Sequence, residues 1–171
     1  LLLDEFTAEL VKRYQHPDPP SDPCLSTSLQ ASPVVFLSYR RHDIEKVTKL
    51  QERLKGAGIR TWQDVQNLRG GDRWEQAIKK VIWKQANYFV VVQTRSLKEA
   101  QESVVFDELR EALRRDKRRN VDDPTSFIIP VLFEPGAGLD SLSDIHMIDL
   151  TLEEGIDELI QTIKDDWTKQ I

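Results

Sequence analysis

A carboxylate, a pair of guanidinium groups and an indole stand at places in this chain where chemistry is possible. Glu108 lies four residues after apolar Val104 and next to apolar Leu109, so a helix through this segment puts it at the edge of the buried face. By default such a residue is a solvated helix glutamate. Kept ionised beside a ligand, it can orient hydroxyls and stabilise developing positive charge. Arg40 and Arg41 directly follow the apolar run Val34-Val35-Phe36-Leu37. They are surface charges by default, but at a strand end facing a crevice their planar donor forks suit an anion. Trp62 ends the short run Ile59-Arg60-Thr61-Trp62 and is either a core aromatic or a stacking platform. Gly70-Gly71 allow positive φ in a loop, whatever the function. His42 and His146 have no second His or Cys at ligand spacing, so no metal site is expected. There is no P-loop lysine pattern, Gly-rich phosphate loop or nucleophile elbow.

The elements that must hold these residues alternate in type. Strand-like runs are Val34 to Leu37, Ile59 to Trp62, Tyr88 to Val92, Phe127 to Phe133 and Ile145 to Leu150. Helical patterns lie between them. Asp43 to Lys55 carries Ile44, Val47, Leu50 and Leu54 on one stripe, and Gly56-Ala57-Gly58 ends it. A second helix follows Asp72, with Trp74, Ile78, Val81 and Ile82 inward. A third spans Lys98 to Arg115, with Val105, Leu109, Ala112 and Leu113 inward, and a last one runs from about Leu152 to Trp167. Strand-helix alternation predicts an α/β fold of the flavodoxin-like kind: a five-stranded parallel sheet with helices on both faces. Ligands of such folds sit beyond the carboxyl ends of the strands, which singles out the loops after Leu37, Trp62, Val92 and Phe133.

The chain has 171 residues, 39% hydrophobic and 31% charged, enough for one domain plus a short extra segment. Residues 1–15 read as an amphipathic helix, the tail of an upstream region. Residues 16–32 hold four prolines within seven positions, then Ser26-Thr27-Ser28, and read as a linker. The main domain is expected over residues 33–171. The abrupt Leu1-Leu2-Leu3 start, with no initiator Met, suggests a piece of a longer protein. A net charge of −5 gives no general attraction to nucleic acid or anionic lipid. No apolar run approaches the roughly 20 residues of a membrane span. The single cysteine, Cys24, fits a reducing compartment, so a cytoplasmic location is expected.

Several segments resemble TIR domains, in that family's order. Val35-Phe36-Leu37-Ser38-Tyr39-Arg40-Arg41 resembles the opening strand, and Asp64 to Gly71 resembles the segment called the BB loop. Trp74 to Ile82, Phe106 to Leu113 and Ile128-Ile129-Pro130-Val131 resemble the family's next helix, its "E-(L/I)-x-x-A-L" helix and its fourth strand. The run Ser38 to Arg41 looks like that of NAD-cleaving members, found in bacterial defence proteins and animal axons. The resemblance implies that Glu108 is the catalytic glutamate. It further implies that Tyr39, Arg40, Arg41, Trp62 and Val104 border the nucleotide, and that Asp64, Val65, Leu68, Gly70 and Gly71 belong to a mobile BB loop used in assembly. Enzymatic members often carry Trp or Tyr four residues before the glutamate, preceded by Ser; here those places hold Val104 and Glu102, with Ser103 one place off.

Two functions follow from the resemblance. One is an NAD+ nucleosidase, activated by self-association and by an upstream sensor or oligomerisation domain, in immune or cell-death signalling. NAD+ would be substrate rather than cofactor. Nicotinamide leaves as a neutral base, so one ionised carboxylate suffices and no general acid is needed. Products would be nicotinamide plus ADP-ribose or a cyclised form. The other is a non-enzymatic scaffold that recruits another TIR domain, a reading that the missing aromatic at Val104 favours. A flavodoxin-like or response-regulator fold binding a different ligand ranks below both, because Gln93 and Thr94 follow Val92 where a response regulator needs a phosphorylatable aspartate.

Overall fold

The computed structural model describes residues 32–62, 74–117 and 127–170. The segments expected to form an amino-terminal helix and linker, and the residues Asp64, Val65, Leu68, Gly70 and Gly71 expected in a BB loop, lie outside the described residues.

Strands β1 (Val34–Ser38), β2 (Arg60–Thr61), β3 (Tyr88–Gln93), β4 (Ile128–Leu132) and β5 (Ile148–Asp149) form one sheet, in the order β2-β1-β3-β4-β5. All four pairings are parallel. The flavodoxin-like five-stranded sheet expected from the alternation is therefore present. Its order reverses between β1 and β3, the switch point at which such sheets open a crevice. β4 carries Pro130 opposite Val91. On either side, the Phe127 carbonyl and the Phe133 N–H bond toward β3. By alternation the missing N–H of Pro130 faces the other way, beyond the short β5, where no ladder bond is lost.

Period-two alternation divides the core into two layers. Phe36, Phe89, Val91 and Ile128 pack with Ile78, Ile82, Val105, Leu109 and Ala112. Val35, Leu37, Val90, Val92 and Val131 pack on the other face with Val47, Leu50, Leu54, Leu159 and Ile163. The first layer holds α2 (Trp74–Lys80) and α4 (Val104–Asp116); the second holds α1 (Ile44–Gly56) and α5 (Gly155–Gln170). Phe36 and Phe89 stack across the switch point, with centroids 5.4 Å apart.

Local capping sets the element ends. The single helix expected over Lys98 to Arg115 is broken. A four-residue helix, α3 (Arg95–Lys98), is capped by Thr94, and α4 begins anew after Ser103, whose extended backbone and hydroxyl cap it. Apolar periodicity could not show this, because both pieces bury residues in the same layer. α1 starts one residue late, after a 3₁₀ turn at Arg41–Asp43, and its first residue, Ile44, is exposed rather than inward. It ends, as read, at the glycines, with Gly58 at φ 80°. A π turn (Val81–Gln85) extends α2. The Arg115 guanidinium donates to the Ile82 and Ala86 carbonyls left at its end, and lies 3.9 Å over the Phe127 ring. Trp83 in that turn is half-buried and donates to Glu111 at 3.2 Å. Among the described residues no helix is long and apolar enough to cross a membrane.

At the start of α5, a Cβ on Gly155 would meet the Asp149 carbonyl oxygen at 2.1 Å. Gly155→Ala should destabilise by roughly 1–3 kcal/mol, from backbone displacement. Gly56→Ala, with nothing within 4 Å, should fall within about 0.5 kcal/mol of wild type. Urea unfolding of both variants checks this, and equal midpoints would contradict the close approach.

Candidate functional site

The carboxyl end of β1 and the first turns of α4 meet in the Phe36 layer. Ser38 follows Phe36 by two residues and so points to the same face. Its hydroxyl donates to Glu108 Oε2 at 2.5 Å, across 70 residues of chain. Glu108 is 2% exposed. It shares the inward face of α4 with Val104, Val105, Leu109 and Ala112. The edge position read from sequence is thus a buried one. A carboxylate removed from water is strongly unfavourable unless it accepts hydrogen bonds, and Ser38 supplies one.

Val104 lies one helical turn before Glu108 and is buried in the same layer. Trp62 is also there, 3% exposed, with its ring 5.5 Å from Phe36. The structure therefore brings Glu108, Trp62 and Val104 into one layer, around the strand that carries Ser38. Tyr39 is not among them. One residue beyond Ser38, it points to the opposite face and is buried with the α1 and α5 residues. The arginine pair divides as well: Arg40 is half-buried and donates through Nη1 to the Ser96 carbonyl at 2.5 Å, whereas Arg41 is exposed.

Residues not singled out from sequence complete the rim. Asp43 is 5% exposed and accepts from Thr94 Oγ1 at 2.8 Å and Ser96 Oγ at 3.1 Å. Glu134, after β4, accepts from Lys46 at 2.6 Å and from the Arg95 N–H at 2.7 Å. Gln93 accepts from the Leu139 N–H and donates toward Met147 Sδ. Ser38 had a signal in sequence, since alternation from Phe36 already aims it at the α4 side. Asp43, Thr94 and Ser96 had none, because their contact joins two loops that only the sheet order brings together.

The TIR domain family profile matches residues 35–160. The chain belongs to the TIR domain family. A comparison with curated proteins returns no match. Among solved structures, it is similar to the TIR domain of the Toll-related receptor TRR-2 from the lower metazoan Hydra magnipapillata. That likeness has a TM-score of 0.58 at 20% identity, and covers 78% of this chain and 97% of that one. It is also similar to the TIR domains of the activated Roq1 resistosome directly recognizing the pathogen effector XopQ, with a TM-score of 0.57 at 22% identity, covering 79% of this chain and 99% of that one. At these identities the likeness speaks for the fold of this TIR domain alone.

Two measurements follow from the site geometry. Ser38→Ala should cost about 1–3 kcal/mol, by leaving the Glu108 carboxylate short of a donor. Because the two residues act as one unit, Ser38→Ala and Glu108→Gln should cost less together than the sum of the singles. Strict additivity in urea unfolding would separate them. The Lys46 hydrogen bond, then that of the Arg95 N–H, hold the Glu134 carboxyl below its ordinary 4.5. A lowered folded-state value stabilises the fold above the unfolded value, and this is lost as pH falls through the folded one. Lys46→Met should therefore flatten the acid limb of the stability profile below about pH 4.5, by less than roughly 1 kcal/mol for an exposed pair. An unchanged limb would show that the pair is inert.

Proposed function

We propose that this TIR domain is an NAD+ nucleosidase in which Glu108 is the catalytic carboxylate. The observation that carries this is the buried hydrogen bond from Ser38 to Glu108 at the carboxyl end of β1. The Ser38 hydroxyl holds one oxygen of that carboxylate in place at the strand end, where this class of fold binds ligands. As the C1′–N bond of the nicotinamide riboside breaks, the bonding electron pair leaves with the pyridine nitrogen, and positive charge builds on the ribose. Glu108 stabilises that charge and orients the ribose hydroxyls. Water, or an atom of the adenine, then captures the sugar to give ADP-ribose or a cyclised form.

The 2% exposure of Glu108 supports a protomer that is closed in isolation and opens on self-association. Its rate per molecule then rises with concentration by mass action. The site is completed by TIR–TIR contacts that an upstream domain promotes, as part of immune or cell-death signalling. The other reading is a scaffold acting by TIR–TIR recruitment alone. Val104, a buried aliphatic where enzymatic relatives often carry an aromatic, favours it.

Concentrated protein incubated with NAD+ should release nicotinamide. Glu108→Gln, nearly isosteric, should lower the rate by about 100-fold or more, the scale of losing a transition-state electrostatic group. Equal release by wild type and Glu108→Gln would overturn the assignment. No release at any concentration, together with self-association, would favour the scaffold.

A further inference from the structure

Gln93 ends β3, the middle strand of the sheet, and is 1% exposed. Its polar atoms reach one segment, the crossing from β4 to β5. The Gln93 carbonyl accepts from the Phe133 N–H at 3.0 Å. Its side-chain Oε1 accepts from the Leu139 N–H at 2.7 Å. Its Nε2 donates to Met147 Sδ at 3.0 Å. The start, the middle and the end of the crossing are thus stapled to a single buried residue. The last of these bonds ends on a thioether sulfur, a weak acceptor. Met147 is also the only methionine of the chain, and it is 37% exposed. It lies against Gly138, where an added Cβ would stand 3.9 Å from Sδ. One soft, polarisable sulfur is therefore both a joint of the fold and part of its surface.

We propose that Met147 is a modification site: a hydroperoxide oxidises it to the sulfoxide, and this releases the end of the β4–β5 crossing from Gln93. A lone pair of Sδ attacks one peroxide oxygen. The S–O bond forms as the O–O bond breaks. The other oxygen leaves with the bonding pair, takes up the proton, and departs as water or an alcohol. Sulfur loses two electrons and the peroxide gains them. The product is polar and chiral at sulfur. At 3.0 Å there is no room for an oxygen between Sδ and Gln93 Nε2. In one epimer the new oxygen faces Gln93, and Met147 must retreat to admit it. In the other the oxygen faces outward, and the amide is left against an electron-poor sulfur. Either way the contact breaks, while the bonds of Gln93 to Phe133 and Leu139 keep the rest of the staple. The joint lies at the carboxyl end of β3, the ligand-binding end of such sheets. The inference does not rest on the NAD+ reading.

The test treats the full chain with hydrogen peroxide after Cys24 has been blocked by alkylation. Peptide mapping by mass spectrometry should find one added oxygen at Met147, gained within about tenfold of the rate in the urea-unfolded chain. Slower oxidation than that would overturn the site. In the oxidised protein, amide hydrogen exchange over residues 137–147 should quicken by about tenfold or more, with exchange in α1 unchanged. Reduction by a methionine sulfoxide reductase should restore the original rates. Unchanged exchange over 137–147 in fully oxidised protein would overturn the release. Equal acceleration in α1 would also overturn it, by showing general destabilisation rather than a local joint. Met147→Leu keeps the bulk and cannot be oxidised, so peroxide should leave its exchange as it was. A peroxide response in Met147→Leu would put the effect on another residue and sink the proposal.

Discussion

Parallel pairing of β1 with β3 is the constraint on which the rest of the molecule depends. It puts Ser38 level with Val91 and stacks Phe36 on Phe89. From there, alternation along β1 decides everything at its carboxyl end. Ser38 goes to the α4 layer and finds Glu108, while Tyr39 goes to the α1–α5 layer and becomes core. Two adjacent residues of one motif thus end in different halves of the protein. The pairing also leaves the loops after β1 and β3 side by side, with no helix between them, so side chains must join them.

Buried charge is handled the same way throughout. Glu108 takes a hydroxyl, Asp43 takes two, and Asp166 accepts from the Tyr88 hydroxyl at 2.5 Å near the opposite end of the sheet. Arg115 gives its donors to the carbonyls at the end of the π turn. Desolvating any of these without partners would cost several kcal/mol, so each partner is a condition of the fold. The contacts differ in what they connect. Asp166 ties α5 to the amino end of β3, and Arg115 ties α4 to the end of the π turn. Asp43 and Glu108 tie loops and a helix start to the carboxyl ends of the strands, where this class of fold binds ligands. Position in the sheet, rather than burial or charge alone, separates a structural carboxylate from a candidate functional one.

The architecture was legible because its signals are local. Apolar runs such as Tyr88 to Val92 and the 3.6-residue stripe of Val47, Leu50 and Leu54 mark strands and helices without reference to anything distant. Glu108 was legible through the helix pattern and the family resemblance together. The break between α3 and α4 was not, since Ser103 acts through its own backbone geometry and a hydroxyl cap, which leave the apolar stripe undisturbed. Ile44 fits the apolar stripe by spacing, but it is the first residue of α1 and is exposed there. The Arg40–Arg41 pair looked uniform, because nothing within ten residues of it shows that one member bonds to Ser96.

What the sequence by itself determined is the alternation of strands and helices, the family, and the identity of one carboxylate on the inward edge of a helix. These rest on interactions between residues a few positions apart, and periodicity records them. Only the tertiary structure decided which hydroxyl holds that carboxylate, which face receives Tyr39, and which arginine is tied down. Those outcomes depend on strand order and register, which bring together groups 50 to 70 residues apart in the chain.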